Sequence, residues 1–88
     1  MTSQLRRAAA SVAANIAQGF GRRTTQEFLR SLQIAAGEME EVRYFLILGR
    51  DLGYVADNGF QRASALCDSV GQLINALGRS LKQRRQLT

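Results

Sequence analysis

Ser11–Thr25 reads SVAANIAQGFGRRTT, and a long apolar-periodic run opens directly behind it at Glu27-Phe28-Leu29. Small residues and Asn15 close one helix, Gly19-Phe20-Gly21 breaks it, and Arg22-Arg23 leads into the start of the next. Gly19 and Gly21 are expected to supply the positive φ that a helix C-cap and a chain reversal require. No residue in the segment suits acid–base or nucleophilic catalysis. It reads as the hinge of a helical hairpin.

Working outward, the first helix is expected over about residues 3–18. Leu5, Ala9, Val12 and Ile16 recur at spacings of four, three and four, which makes one apolar stripe. Ala8, Ala10, Ala13, Ala14 and Ala17 widen it into a smooth face that lets another helix come close. The second helix is expected over 24–52. Thr24-Thr25-Gln26-Glu27 fits a capping box, with Thr24 capping and Glu27 reaching back. Phe28, Leu32, Ala35, Met39, Val42, Leu46 and Gly49 then alternate four and three, a heptad seam. A second row, Ile34, Phe45, Leu48 and Leu52, makes this helix apolar on two sides and implies two neighbours. Gly53 stops it.

The third helix is expected over 58–83, with Asp57 or Asn58 as N-cap and Gln61 placed for a box with Asn58. Its seam is Phe60, Ala63, Cys67, Val70, Ile74, Leu77 and Leu81, broadened by Leu66 and Leu73. Cys67 lies on that seam and reads as a small buried hydrophobe. The basic tail Lys82-Gln83-Arg84-Arg85 is expected to fray. Short turns make neighbouring helices antiparallel, so the fold class is an all-α, up-down helical bundle of the four-helix type with three long helices in this chain.

Composition narrows the function. Eighty-eight residues make one domain, residues 1–88, near the size at which a single core barely suffices. One cysteine excludes an internal disulfide, and without histidine neither a zinc site nor His-based catalysis is available. No metal site, cofactor or catalytic residue is expected, and the protein is not expected to be an enzyme. The longest near-apolar run, Tyr44–Leu48, is far below a membrane span and no signal peptide precedes it, so a cytoplasmic protein without a membrane partner is expected. Net charge is +5, and eleven of the twelve basic residues are arginine. Arginine favours planar contacts with phosphate or carboxylate, which points to nucleic acid or an acidic partner.

Gln4-Leu5-Arg6-Arg7-Ala8, Ser11-Val12, Asn15-Ile16-Ala17-Gln18-Gly19, Arg22-Arg23, Glu27-Phe28 and Asp51-Leu52-Gly53-Tyr54-Val55 occur in this order along the chain. Together they resemble the four-helix-bundle family of 23S rRNA intervening-sequence proteins, which includes the accessory variability proteins of diversity-generating retroelements. The resemblance implies a four-helix bundle that assembles as a pentamer. For the retroelement relatives it also implies binding to nucleic acid and to a reverse transcriptase. The family has Pro where Ala13 stands and Glu where Gln18 stands. Its first helix precedes the motif, so the resemblance implies that this chain, starting at Met1-Thr2-Ser3, supplies three helices of four. Three helices would leave an apolar groove, which favours a partner helix or self-association. A homo-oligomer is expected on that ground, and the number five rests on the resemblance alone.

The expected nucleic-acid contacts are Arg6, Arg7, Arg22, Arg23 and Arg30, with Arg79, Lys82, Arg84 and Arg85 as a second patch. Arg22 and Arg23 flank a helix N-terminus, where backbone N–H groups also favour phosphate. RNA and DNA are equally admissible, since such contacts read the backbone. The alternative is an adaptor that docks a helix of a partner such as a reverse transcriptase without touching nucleic acid. A helix-turn-helix reader fits poorly, because the second helix is too long and apolar on two sides. Glu38, Glu40 and Glu41 form the one carboxylate cluster and read as a solvated or inter-subunit face. Asn15, with Gly19, Gly21 and Gly53, is assigned a structural role, Asn15 by hydrogen bonding within the bundle.

Overall fold

The computed structural model describes residues 2–87, and these form three helices: α1 over Thr2–Phe20, α2 over Thr25–Asp51 and α3 over Asp57–Leu87. The described residues include no strand. α1 and α3 each extend a few residues beyond the expected limits, and α3 runs on through the basic tail instead of ending at 83.

The ends are set by local chemistry. Thr24 has extended backbone, and its hydroxyl oxygen accepts from the Glu27 N–H at 3.1 Å. The reciprocal half of the expected capping box, from the Glu27 side chain to Thr24 N–H, is not made. At the other end of α2, Gly53 N–H donates to Arg50 O at 3.0 Å and Tyr54 N–H to Gly49 O at 2.8 Å. This pair of bonds is a Schellman closure, and it places Gly53 at φ +81°. α3 departs from expectation. Its first helical hydrogen bond runs from Phe60 N–H to Ala56 O, so Ala56 occupies the N-cap. Asn58 lies inside the first turn, where its side-chain oxygen accepts from Gly59 N–H at 2.8 Å.

Gly19 and Gly21 do not have positive φ, contrary to expectation; among the described residues Gly53 alone does. α1 continues through Gly19 to Phe20, and Gly19 is needed for room. A Cβ there would stand 2.7 Å from two ring carbons of Phe28. At Gly37, in the middle of α2, a Cβ would meet nothing within 4 Å. The two sites therefore respond oppositely to alanine. Gly37→Ala is expected to raise stability by about 0.5–1 kcal/mol through helix propensity. Gly19→Ala is expected to lower it by about 1 kcal/mol, because overpacking of roughly 1–3 kcal/mol outweighs the same propensity gain. Thermal melts followed by circular dichroism check both, and equal shifts at the two sites would sink the steric account.

α2 is the central helix. Leu29, Leu32, Ala35, Met39, Val42 and Leu46 are buried along it, against Val12 of α1 and Cys67, Ile74 and Leu81 of α3. The expected seams are the core. α2 has the two neighbours expected, α1 and α3, but its second apolar row is only partly covered: Ile34 and Leu52 are exposed, while Phe45 and Leu48 are half-buried. Both neighbours are accommodated on the seam and its flanks.

α1 and α3 pack on α2 without approaching each other. Packed helices stand about 8–10 Å apart, so opposite corners of a four-helix square lie about 11–14 Å apart. The Cα extents, 51 × 19 × 13 Å, fit three corners of such a square with the fourth open. A cleft of about 490 Å³ occupies that corner. Ala9, Ala13 and Ile16 line it from α1, Met39 from the floor, and Leu66 and Leu73 from α3.

Candidate nucleic-acid interface

The turn Gly21–Thr24 and the last turns of α3 come together at one end of the bundle. An open cleft of about 370 Å³ lies there, lined by Phe20, Arg22, Arg23, Thr25, Phe28 and Arg84 among others. The antiparallel course of the helices makes this juxtaposition, because it returns the end of α3 to the α1–α2 turn. Arg30 and Lys82 line the adjoining cleft, and Arg79 with Lys82 the next. Arg22, Arg23, Arg30, Arg79, Lys82 and Arg84 thus share one pole, and Glu27 is the one carboxylate lining these clefts. Arg85 aside, five basic and six acidic residues of the chain lie elsewhere. The net charge of the chain is concentrated at this end.

The two groups of arginines expected from the sequence are redistributed by the fold. Arg22, Arg23 and Arg30 join the α3 patch. Arg6 and Arg7 do not, since fourteen residues of α1 separate Arg6 from Phe20, about 21 Å at the helical rise. Both are exposed, and Arg6 borders the apolar cleft. The side chain of Arg85 lies outside the described residues.

Two arginines away from this pole are committed to internal pairs. Arg43 meets Asp68 at 2.8 Å across α2 and α3, and Glu40 at 3.6 Å on its own helix. The hydrogen bond that Arg43 donates to Asp68, more than the charge of that carboxylate, holds the guanidinium still more firmly protonated than usual. Arg50 pairs with Asp51 at 3.5 Å and lies over the Phe60 ring at 4.2 Å. Arg22, Arg23 and Arg30 make no ion pair among the described residues. Their guanidinium groups are exposed and available to an outside anion.

The remaining sequence-stated residues have structural places. Asn15 Nδ2 donates to Glu38 Oε1 at 2.6 Å and to Ser11 O at 3.0 Å, tying α1 to α2. The carboxylate cluster is split: Glu38 is half-buried at this joint, while Glu40 and Glu41 are exposed. Cys67 is buried in the core, and burial pushes its thiol up. Phe20 was not singled out by the sequence reading, yet it lines the basic cleft with its ring 66% exposed. Its signal was an aromatic residue off the heptad seam, between two glycines and directly before Arg-Arg.

Fold and charge together define a small basic helical-bundle protein whose positive charge collects at one pole. The family model of the 23S rRNA-intervening sequence protein matches residues 1–76, and the chain belongs to that family. The match ends one turn before Arg79, Lys82 and Arg84, so the α3 share of the basic pole lies outside it. No curated protein matches the chain significantly.

Proposed function

We propose that this protein is a non-enzymatic, self-associating bundle protein of the cytoplasm that binds nucleic-acid backbone through the basic pole. One observation carries the reading: Arg22, Arg23 and Arg30, without internal ion pairs, converge with the basic end of α3 around clefts that contain a single carboxylate. Phosphate oxygens are the anions that such a cluster of planar donors suits, and α2 adds its N-terminal N–H groups beside Arg22 and Arg23. No helix among the described residues is long and apolar enough to cross a membrane.

Self-association is supported by the open corner of the bundle. Leu66 and Leu73 stand 67% and 50% exposed along it. The helix stretches that border it carry little charge: Arg6 at one end, none from Ala8 to Gly21, and Asp68 alone from Ala63 to Gly78. Asp68 is turned toward Arg43. A second copy is the occupant that fits. The cleft runs along α1 from Leu5 to Ile16 and along α3 from Ala63 to Leu73, about 16 Å at the helical rise. Proud leucines on α3 and a smooth alanine strip on α1 are complementary surfaces, which suit a head-to-tail contact repeated around a closed ring. The resemblance to the family gives five as the copy number.

Titration of RNA and DNA at low and moderate salt tests the reading. Binding is expected at ~50 mM salt and should weaken about twenty- to forty-fold by ~200 mM if three phosphates are engaged. Absence of binding at the lower salt would overturn it. The second reading, an adaptor docking a helix of a partner such as a reverse transcriptase, would then be favoured by the same apolar cleft.

A further inference from the structure

We infer that the basic pole takes single-stranded nucleic acid, with one base stacked on the exposed ring of Phe20. This rests on the proposed nucleic-acid reading and adds to it which form of nucleic acid is bound and by which contact.

Phe20 is the last residue of α1, and two-thirds of its surface is open to solvent. An aromatic ring so exposed contributes little to the core, yet it is held firmly. Its centroid lies 5.0 Å from that of Phe28 at an interplanar angle of 64°, an edge-type contact. Phe28 in turn packs on the core and fills the space that the missing Gly19 side chain leaves free. Gly21 follows with no side chain to shade the ring. Arg22 and Arg23 come next in the chain, and with Arg84 they line the cleft that Phe20 borders.

A supported aromatic face beside several cations is the arrangement that single strands use. Cations hold the backbone while an unstacked base lies on the ring, and every base has a face that can do so. A duplex offers the cations the same phosphates, but its bases are stacked on each other and cannot reach the ring. Single strands should therefore bind more tightly than duplex of the same sequence, beyond the backbone attraction that both share.

The test uses the full chain, labelled strands of about ten nucleotides, and the same sequences as duplex. Phe20→Ala is expected to weaken single-strand binding about tenfold, the effect of one lost stack, while leaving duplex binding and the salt dependence unchanged. The chain has no tryptophan, so Phe20→Trp places a sole reporter on the surface. Its emission should be quenched by single strands, RNA or DNA, and not by duplex. Equal binding of single strands and duplex, with neither altered by Phe20→Ala, would overturn the stacking role while leaving backbone binding in place. A drop in light-scattering mass in Phe20→Ala would overturn it too, by assigning the ring to self-association. Failure of every strand to bind at ~50 mM salt would remove the nucleic-acid reading itself.

Discussion

Leu66→Gln combined with Leu73→Gln is expected to reduce the proposed assembly to a single 9.7 kDa chain. The two leucines project from α3 into the open corner of the bundle, one heptad apart and on one side of the helix. Buried in an interface, each is worth about 1.5–3 kcal/mol, so losing both should weaken association by about a thousandfold. Glutamine is a good helix former and carries no charge, so the net charge and the helix remain as they were. Because both leucines are largely exposed in the isolated chain, its folding stability should change by no more than about 0.5 kcal/mol. Light scattering over a range of concentrations reads the mass, and urea unfolding of the dissociated chain reads the stability. A native protein that already scatters as one chain would sink the self-association argument. Loss of mass accompanied by unfolding would instead assign the two leucines to the fold.

Asn15→Leu is expected to cost about 2 kcal/mol of stability, a large share of what a domain of this size possesses. Apolar area is gained by the substitution, so a purely hydrophobic account predicts the opposite sign. The difference lies at Glu38. Its Oε1 accepts from Asn15 at 2.6 Å, while Oε2 is buried without a hydrogen-bond partner. With Asn15 gone, the carboxylate between α1 and α2 loses its only donor and must either stay unsatisfied or push outward and loosen the joint. The double variant Asn15→Leu with Glu38→Leu should recover most of the loss, since replacing both partners by apolar groups removes the unsatisfied charge. Urea unfolding of the two single variants and the double variant forms a cycle that reads the coupling. A single variant as stable as the native chain, or a double variant no better than the single, would show that Asn15 is not the polar tie between these helices.

The arrangement of helices was legible along the chain because the seams are strict. Phe28 to Gly49 and Phe60 to Leu81 follow one period without a slip, and the buried side chains of α2 and α3 are drawn from those positions, with Leu29 and Ser31 beside them. Gly53 was legible as a stop because a left-handed C′ residue is a local requirement that glycine meets. Gly19 was misread for a related reason. A glycine near a helix end suggests a turn, but here it answers to the Phe28 ring that a later helix brings against it. The α3 cap was misplaced by one or two residues, since Asp57, Asn58 and Ala56 compete within one turn and only the hydrogen bonds choose.

The site was legible in its parts and not in its grouping. Arg22-Arg23 and the basic tail could be named from the sequence as separate patches, and Arg6 and Arg7 were assigned beside the first. Their sequence neighbours did not decide which stand together. Arg6 lies closer to Arg22 along the chain than Arg84 does, yet Arg84 shares its cleft and Arg6 is a helix length away. Phe20 was passed over because its place off the seam, between two glycines, marks it locally without telling whether a neighbouring helix covers the ring.

Sequence alone determined where the helices run, which faces are apolar, that the turns reverse the chain, and that the charge is carried by arginine. These follow from periodicity, glycine positions and composition, which act over a few residues. Only the tertiary structure decided which side chains line the open corner, that Gly19 is a packing site, that Glu38 depends on Asn15, and that six basic groups meet at one end. Each of these depends on the distance between residues far apart in the chain, and helix packing sets that distance.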